Sequence, residues 1–324
     1  MVGIDRRAAL GLLAAMPGMR AGAQGTPAPE GWPARPVRLI VPYPPGGGAD
    51  VVARLLAPAL SEQPGGPQIV IDNRPGAGGN VGTEQLAKSP PDGYTIGTIT
   101  IGTHGTNPWL FPRLGFDPVA DFSPVALVSL QPAAIVAAAG SGLTSLDDLL
   151  ALKRETNFAS SGNGTSGHLG GEVLRVMGRL PLVHVPYRGS GPAWADLLGG
   201  RVELVVDNIQ NALPHHQSGR ARILALTGTG RVALVPEVPA VRERLPDYLV
   251  QSWNGIAGPA GMPAEVVDRL GRLIAAARSP AVLARYAELG MEFPASSPAH
   301  LAGFIAAQLA FWKQVITGSN IRLE

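Results

Sequence analysis

Short apolar runs alternate with amphipathic segments along most of the chain from Trp32 onward. Val37–Val41 is predicted to be a buried strand, residues 42–48 a rigid loop, and residues 50–60 a helix whose apolar positions recur at helical spacing. The same order of strand, glycine-rich loop and helix then repeats. This alternation is typical of α/β domains with largely parallel sheets.

The period-2 and short apolar runs place further strands after the first one, and the pattern becomes helical after Gly261. No long flexible linker separates two sequential domains, so we expect a chain that crosses more than once between two lobes. The predicted strands are residues 37–41, 69–71, 95–101, 133–139, 157–160, 182–185, 204–206 and 223–226, and the later helices are residues 264–277, 281–289 and 299–317.

The first residues have the pattern of an export signal. Asp5-Arg6-Arg7 precedes an apolar stretch at residues 8–16, and Ala21-Gly22-Ala23 offers a small-x-small cleavage site. The apolar stretch is shorter than the roughly 20 residues that a membrane anchor needs. We therefore predict a signal peptide over residues 1–23, cleaved near Ala23, with Sec and twin-arginine export both open.

Composition narrows the class of protein. The 324 residues, 45% hydrophobic and 15% charged, suit two globular domains, and a net charge of +2 with scattered arginines argues against nucleic-acid binding. The chain has no Cys, which excludes disulfides, thiolate metal sites and a cysteine-linked lipid anchor. A freely soluble, monomeric periplasmic protein is expected.

Four glycine-rich or polar loops follow predicted strands, where open α/β sheets bind ligands: residues 42–50, 102–108, 160–168 and 186–191. In the third, Gly162, Gly164 and Gly167 match G-x-G-x-x-G, but the next strand ends at His184-Val185-Pro186 without an acidic residue for a ribose. A dinucleotide site is therefore disfavoured. The exposed N–H groups at such a helix N-terminus bind anions of many kinds, and a carboxylate is the natural candidate.

Enzymatic alternatives lack their motifs. The glycines at residues 46–48 are not followed by the lysine and hydroxyl of a phosphate loop, and Asp50 after them either favours its own helix N-terminus or lines the cleft. Ser161, His168 and Asp207 have the residue types of a hydrolase catalytic triad, but the G-x-S-x-G motif around a nucleophilic serine is missing. The histidines have no metal-ligand spacing. We expect no catalysis, metal or cofactor.

At these loops the sequence resembles the Bug family of extracytoplasmic receptors of tripartite tricarboxylate transporters. The resemblance runs in order through nearly the whole chain after the signal peptide. It is carried by residues 41–50 (VPYPPGGGAD), 73–80 (NRPGAGGN), 91–94 (PDGY), 102–104 with 107–108 (GTH, NP), 160–166 with 168–169 (SSGNGTS, HL), 183–187 (VHVPY), 196–200 (DLLGG), 207–208 (DN), 236–239 (PEVP) and 258–261 (GPAG).

The resemblance implies an α/β fold of the periplasmic-binding-protein type II class, with two lobes joined by crossing hinge strands and the ligand cleft between them. One lobe would hold residues 32–130 plus 251–324, and the other residues 131–250. The ligand-binding residues that it implies are Tyr43, Gly46, Gly47, Gly48, Asp50, Gly102, Thr103, His104, Ser160, Ser161, Asn163, Thr165, Ser166, His168, Tyr187, Arg188, Gly189, Asp207 and Asn208.

The implied function is capture of a small carboxylate, such as a dicarboxylate, tricarboxylate, acidic amino acid or aromatic acid, for membrane transporter subunits. A ligand sensor that presents its bound state to a signalling partner is the alternative. Two departures concern the ligand: Arg188 stands where the family more often has lysine, and residues 146–160 are shorter than usual. Because cationic residues are few in these loops, we expect neutral donors, including Thr103, Ser161, Thr165 and Ser166, to dominate, with Arg188 as an auxiliary contact.

Overall fold

A computed structural model of the chain describes residues 31–319 and 321; the predicted signal peptide lies outside this part. None of the helices in it is both long and apolar enough to span a bilayer. The strands are β1 (Val37–Val41), β2 (Ile69–Asn73), β3 (Thr95–Thr100), β4 (Phe122–Ala138), β5 (Thr156–Ser160), β6 (Leu182–Pro186), β7 (Leu204–Asn208), β8 (Ala221–Leu226) and β9 (Gln251–Pro259).

Outside the strands, the described residues form ten α-helices, a short π-helical turn at Gly102–Thr106 and single 3-10 turns at Ala77–Gly79 and Val241–Glu243. The α-helices are α1 (Gly48–Ser61), α2 (Asn80–Ala87), α3 (Asn107–Leu110), α4 (Leu146–Leu150), α5 (Ser166–Gly178), α6 (Ser190–Leu198), α7 (Ile209–Gln217), α8 (Ala264–Ala276), α9 (Pro280–Ala287) and α10 (Pro298–Ser319).

The first lobe is built on a sheet in the order β2-β1-β3-β9-β4. β1 pairs in parallel with both β2 and β3, and β9 runs antiparallel between β3 and the first part of β4. Four of the five residues of β1 are buried, as expected for a continuous apolar strand covered on both faces. Helix α1 packs on this sheet through Val52, Leu56 and Leu60.

The second lobe is built on the second half of β4. From Ala133 onward this strand leaves β9 and pairs antiparallel with β7 and β8, while β5 lies parallel between β7 and β6. The change of partner falls between Pro132, which pairs with Gln251 of β9, and Ala133, which pairs with Asn208 of β7. One strand therefore contributes to both lobes.

Hydrogen bonds of Thr227 join the two chain segments at which the chain passes between the lobes. Its backbone N–H donates to Ala133 O at 2.9 Å, and its hydroxyl accepts from Ala133 N at 2.9 Å and donates to Val250 O at 2.6 Å. The chain thus leaves the second lobe beside the point at which it entered.

The three C-terminal helices return to the first lobe. Gln308 Oε1 of α10 accepts from Trp253 Nε1 of β9 and from Trp312 Nε1, each at 3.1 Å, and Leu301 packs over Gly255. Because Trp253 and Trp312 are fully buried, these contacts tie the end of the chain into the first core. The predicted helices at residues 264–277, 281–289 and 299–317 agree with α8, α9 and α10 to within a few residues.

Candidate ligand-binding site

A cleft between the two lobes contains a space that we call the inner chamber. Its floor includes the crossing strand β9, and its walls come from loops of both lobes. The lining residues are Tyr43, Pro44, Pro45, Gly47, Gly48, Ala49, Thr100, Ile101, Ser161, Thr165, Ser166, Gly189, Ser190, Asn208, Ser252 and Asn254. Many are hydroxyl or amide residues, and none of these lining residues is charged.

Helix N-termini from both lobes meet at the inner chamber. The N-cap residues Gly47 of α1, Thr165 of α5, Gly189 of α6 and Asn208 of α7 all line it. No side chain caps α1, α6 or α7. The first N–H groups of a helix have no partner within the helix, so these ends offer fixed donors and the positive end of the helix dipole to an anion.

Side chains of the second lobe add further donors. Ser190 Oγ accepts from Asn211 Nδ2 at 3.2 Å and its O–H donates to the Asp207 carboxylate, so this hydroxyl holds the chamber wall at the start of α6. Ser166 Oγ donates to Asn208 Oδ1 at 3.1 Å, and this bond turns the Asn208 amide nitrogen towards the opposite lobe. The Asn208 side chain therefore presents N–H groups where a negatively charged oxygen would be stabilised.

The first lobe contributes mainly backbone. Gly48 at the start of α1 approaches Asn208 so closely that a Cβ built on it would lie 2.1 Å from Asn208 Nδ2. Behind the loop, Tyr43 O–H lies 3.0 Å from Thr100 Oγ1 and 3.2 Å from Gly78 O. Burial raises the pKa of Tyr43 to about 12, so the phenol stays neutral and keeps these hydrogen bonds.

Loops of the two lobes also touch each other directly at residues 163–164 of the second lobe. Thr106 Oγ1 of the first lobe donates to Gly164 O of the second lobe at 3.2 Å. A Cβ built on Gly78 would lie 2.7 Å from Asn163 O, so this glycine also permits close approach of the second lobe. The structure is therefore that of a closed cleft, in which lobe opening would give access to the chamber.

A second space, the outer chamber, lies next to the inner one and shares with it Tyr43, Pro44, Ser161, Thr165 and Gly189. Its empty volume is about 1330 Å³ against about 530 Å³ for the inner chamber, each including the part open to solvent. Its other lining residues are Pro42, Pro75, Gly76, Ala77, Gly78, Gly79, Phe111, Gly162, Asn163, Pro186, Tyr187 and Arg188.

The residues named from the sequence fall into three groups in space. Those that line the inner chamber are Tyr43, Gly47, Gly48, Ser161, Thr165, Ser166, Gly189 and Asn208. Asn163, Tyr187 and Arg188 line the outer chamber instead. The residues that line neither chamber are Gly46, Asp50, Gly102, Thr103, His104, Ser160, His168 and Asp207.

Two aspartates of the third group stabilise the loops by accepting hydrogen bonds from them. Asp50 accepts hydrogen bonds from Arg54, from Asn73 Nδ2 at 2.9 Å and from Gly46 N at 2.9 Å. Burial alone would raise the pKa of Asp50, but these hydrogen bonds outweigh it and the pKa is lowered. Asp50 therefore stays ionised and fixes the loop before α1.

Asp207 has the corresponding place in the second lobe. Its carboxylate accepts from Trp194 Nε1, Asn211 Nδ2 and Asn208 N, each at 2.9 Å, and also from the Ser190 hydroxyl, and so links α6 to the start of α7. Burial raises the pKa of Asp207 although these bonds oppose the shift. The carboxylate thus positions Asn208 from behind the chamber wall.

The histidines of the loops are buried and neutral. His104 packs edge-on against Phe122 at a ring distance of 4.5 Å in the first core, and burial lowers its pKa to about 3. His168 accepts from Gly164 N at 3.2 Å and stacks on His184 at 4.2 Å. Burial lowers the pKa of His168 to about 4, and burial together with the nearby His168 lowers that of His184 to about 3.

Four residues of the inner chamber lie outside the four loops predicted from the sequence: Thr100, Ile101, Ser252 and Asn254. Ser252 and Asn254 alternate around the buried Trp253, so both face the cleft from β9. The available signal was this period-2 placement of small polar residues in an otherwise apolar stretch. Thr100 ends β3, where it meets Tyr43.

Binding of an anion by neutral donors is the chemistry that this arrangement provides. Within the described part of the chain, no hydrogen bond joins Ser161, His168 and Asp207 to one another. The described residues also contain no group of three or more His, Cys, Asp or Glu side chains placed to hold a metal ion.

Comparison with known proteins gives consistent results. A family described as tripartite tricarboxylate transporter family receptor matches residues 52–321. The UPF0065 protein in the tcbD-tcbE intergenic region of Pseudomonas sp. (strain P51) is 36% identical over 294 residues, 89% of this chain and 87% of that protein. Protein BugT of Bordetella pertussis (strain Tohama I) is 34% identical over 305 residues, 90% of this chain and 92% of that protein.

Solved structures are similar over the same length. R. palustris Rpa4515 with adipate has 35% identity and a TM-score of 0.86, covering 90% of this chain and all of that one. MatC from Rhodopseudomonas palustris with bound malate has 31% identity and a TM-score of 0.80, covering 88% of this chain and 100% of that one. The resemblance to Bug receptors and the two-lobed periplasmic-binding-protein fold are thereby confirmed.

Proposed function

The chain belongs to the tripartite tricarboxylate transporter receptor family, and from that premise we propose that it captures a small carboxylate in the periplasm and passes it to membrane transporter subunits. The receptor binds its ligand between the lobes and carries out no chemical step. The exported form begins after the signal peptide predicted at residues 1–23.

The observation that carries this proposal is the convergence of uncapped helix N-termini from both lobes on the inner chamber. Gly47 and Gly48 bring α1 from one side, and Gly189 and Ser190 bring α6 from the other. A carboxylate held there would accept hydrogen bonds from both lobes at once. Such bonds would stabilise the closed state relative to the open one, which is how ligand binding drives domain closure.

The choice of carboxylates as the ligand class has a second support. The similar chains Rpa4515 and MatC contain adipate and malate, which are both carboxylates. The inner chamber of this chain, lined by hydroxyls, amides and backbone N–H groups without a fixed anion, suits the same functional group. Fixed neutral donors cost little reorganisation when the ligand arrives.

We assign the moving lobes as residues 32–130 plus 251–324 and residues 131–250. The partner change of β4 at Pro132 and Ala133, and the hydrogen bonds of Thr227 to Ala133 and Val250, support a hinge at this boundary. Rotation about these few residues would open the chambers without disrupting either sheet.

A thermal-shift screen of the purified mature protein tests the proposal, because a ligand that binds only the native state raises the melting temperature by mass action. The panel contains acetate, hexanoate, benzoate, succinate, adipate, citrate, aspartate and glutamate, with glucose and glycine amide as uncharged or cationic controls. Stabilisation by at least one carboxylate and by neither control is expected. If the controls stabilise the protein and no carboxylate does, the proposed ligand class is wrong.

A further inference from the structure

The outer chamber continues the cleft beyond the inner one. The two spaces share the walls formed by Tyr43, Pro44, Ser161, Thr165 and Gly189. A ligand with its carboxylate at the helix N-termini can therefore extend past these residues without leaving the cleft. The outer chamber then surrounds the end of the ligand that the inner chamber does not hold.

Charge distinguishes the two chambers. Among the described residues that line them, Arg188 is the one charged side chain, and it lies in the outer chamber. It is exposed and has no ion pair with any described residue. The nearby Asp196 is already engaged by Tyr187 O–H at 2.6 Å and by Arg201 Nη1 at 2.7 Å. The positive charge of Arg188 is thus left for a ligand.

The backbone on both sides of Arg188 is fixed. Tyr187 N donates to Ser160 O and Gly189 N donates to Ser161 O, each at 3.1 Å. Gly189 has a φ of +111°, which favours glycine, and a Cβ built there would lie 3.4 Å from Pro44 Cγ of the first lobe. The backbone of Arg188 is therefore held at the seam between the lobes, and its exposed side chain lines the outer chamber there.

The remaining walls of the outer chamber are mainly apolar. Pro42, Pro75, Ala77 and Phe111 line it together with glycines. These side chains suit a hydrocarbon spacer better than further charged groups, since burying an unpaired carboxylate is costly. A tricarboxylate would bring two more negative charges to a single guanidinium.

Building on the proposed carboxylate-receptor function, we propose that Arg188 is a specificity-determining residue that binds the distal carboxylate of an elongated α,ω-dicarboxylate. The proximal carboxylate lies at the neutral donors of the inner chamber, and the methylene chain passes through the shared walls. The planar guanidinium can hold the distal carboxylate with two parallel hydrogen bonds.

Calorimetric titration with two matched ligand series tests this assignment. The series are the α,ω-dicarboxylates from succinate to suberate and the monocarboxylates of equal carbon number. The wild-type protein is expected to prefer one dicarboxylate length over the matching monocarboxylate. Arg188→Gln should weaken the binding of that dicarboxylate on the order of tenfold. This effect lies between that of losing an exposed ion pair and that of losing a buried charge-assisted hydrogen bond. The affinity for the monocarboxylate should be unchanged.

Three comparisons make the result specific. Arg188→Lys should keep part of the preference, because charge is retained and the bidentate geometry is lost. Arg272→Gln, at an exposed arginine on α8 that lines neither chamber, should behave as wild type. Raising the salt concentration should reduce the preference in wild type and have no such effect in Arg188→Gln.

The outcomes separate this inference from the function on which it rests. Equal affinity for both series, or an Arg188→Gln variant that leaves the dicarboxylate preference intact, overturns the role of Arg188 while the carboxylate receptor stands. An equal loss of affinity for both series in Arg188→Gln also overturns it, because the residue would then act on the inner chamber. Failure of every ligand of both series to bind the wild type overturns the proposed function itself.

Discussion

The two walls of the inner chamber provide hydrogen-bond donors in different ways. The wall from the first lobe is a proline-glycine loop that offers the backbone N–H groups of Gly48 and Ala49 at the start of α1. The wall from the second lobe offers the side chains of Ser161 and Asn208 as well as the N-termini of three helices.

The difference indicates that the two lobes have different roles in ligand binding. A backbone wall of glycines contributes the same donors whatever the ligand, and it allows the opposing lobe to come close. A side-chain wall can be altered one residue at a time, so ligand preference is expected to reside mainly in the second lobe. The first lobe would then complete the site on closure.

Acidic pH is expected to have the largest effect, a decrease in the free energy of unfolding, because it favours protonation of the histidines that support the second wall. His168 accepts the Gly164 N–H and stacks on His184, and burial lowers the pKa values of these histidines to about 4 and about 3. Both folded pKa values lie below the unfolded value of about 6.5, so the unfolded chain binds more protons and stability falls as the pH drops below that value.

Between pH 7 and pH 5 the free energy of unfolding should fall by about 2 kcal/mol for each of these two histidines. His104 in the first core acts in the same direction. Urea denaturation at the two pH values measures the change, and the carboxylates with lowered pKa values contribute little until more acidic pH. An unfolding free energy that stays constant over this window would show that these rings are not held neutral.

Substitution of Gly48 tests the backbone wall. Gly48→Ala places a Cβ 2.1 Å from Asn208 Nδ2 and 3.0 Å from Gln210 Nε2 of the other lobe, while its own helical backbone accepts alanine. Overpacking costs about 1 to 3 kcal/mol, so carboxylate affinity should fall by up to about a hundredfold. Calorimetry gives the affinity, and small-angle scattering should show a larger radius for Gly48→Ala with ligand than for wild type.

The matched control is Gly191→Ala in the first turn of α6, where nothing lies within 4 Å of the added Cβ. It should bind as wild type does. Equal affinity of Gly48→Ala and Gly191→Ala would mean that close approach of the two walls is not needed for binding.

Removal of a single hydroxyl from the second wall should have a smaller effect on carboxylate affinity. Ser161 lines both chambers, and its hydroxyl forms no hydrogen bond with another described residue, so its O–H can donate to the ligand. A hydrogen bond to a charged group is worth about 1.5 to 3 kcal/mol, so Ser161→Ala should weaken carboxylate binding at least about tenfold. The protein melting temperature without ligand serves as the control, and an affinity equal to that of wild type would remove Ser161 from the site.

Salt should have the smallest effect on a monocarboxylate such as hexanoate. Its single charge would be held by neutral donors between the closed lobes, where screening by ions is weak. We expect its affinity to change less than about twofold between low and physiological ionic strength. A steep decrease, measured by calorimetry in both buffers, would indicate that side-chain cations dominate the inner chamber.

Much of the fold was accessible from the sequence because its central strands are continuous apolar runs. β1 and the helices after Gly261 were placed to within a few residues, and the glycine loops were correctly located after strands. The first half of β4 and all of β9 were not predicted. These crossing strands carry buried polar residues, such as Ser129, Ser252 and Asn254, which break the apolar pattern where they meet the cleft.

The site was harder to predict than the fold, because a motif does not say which way each side chain points. In the turn Gly102–Thr106, Thr103 lies 2.9 Å from His104 Nδ1, and both side chains are buried, away from either chamber. Thr165 caps its own helix by accepting from His168 N. Only the tertiary arrangement separates donors that face the chamber from those that hold its loops.

The most direct test of the central claim is amide NMR of the mature protein titrated with the carboxylate that stabilises it most. The account predicts that the backbone N–H signals of Gly48 and Ala49 in the first lobe and of Ser190 in the second move together, with one saturation curve, because these N–H groups bind the same carboxylate. If the helix N-terminal amides stay in place while the ligand binds elsewhere, the claim that uncapped helix ends hold the ligand is contradicted.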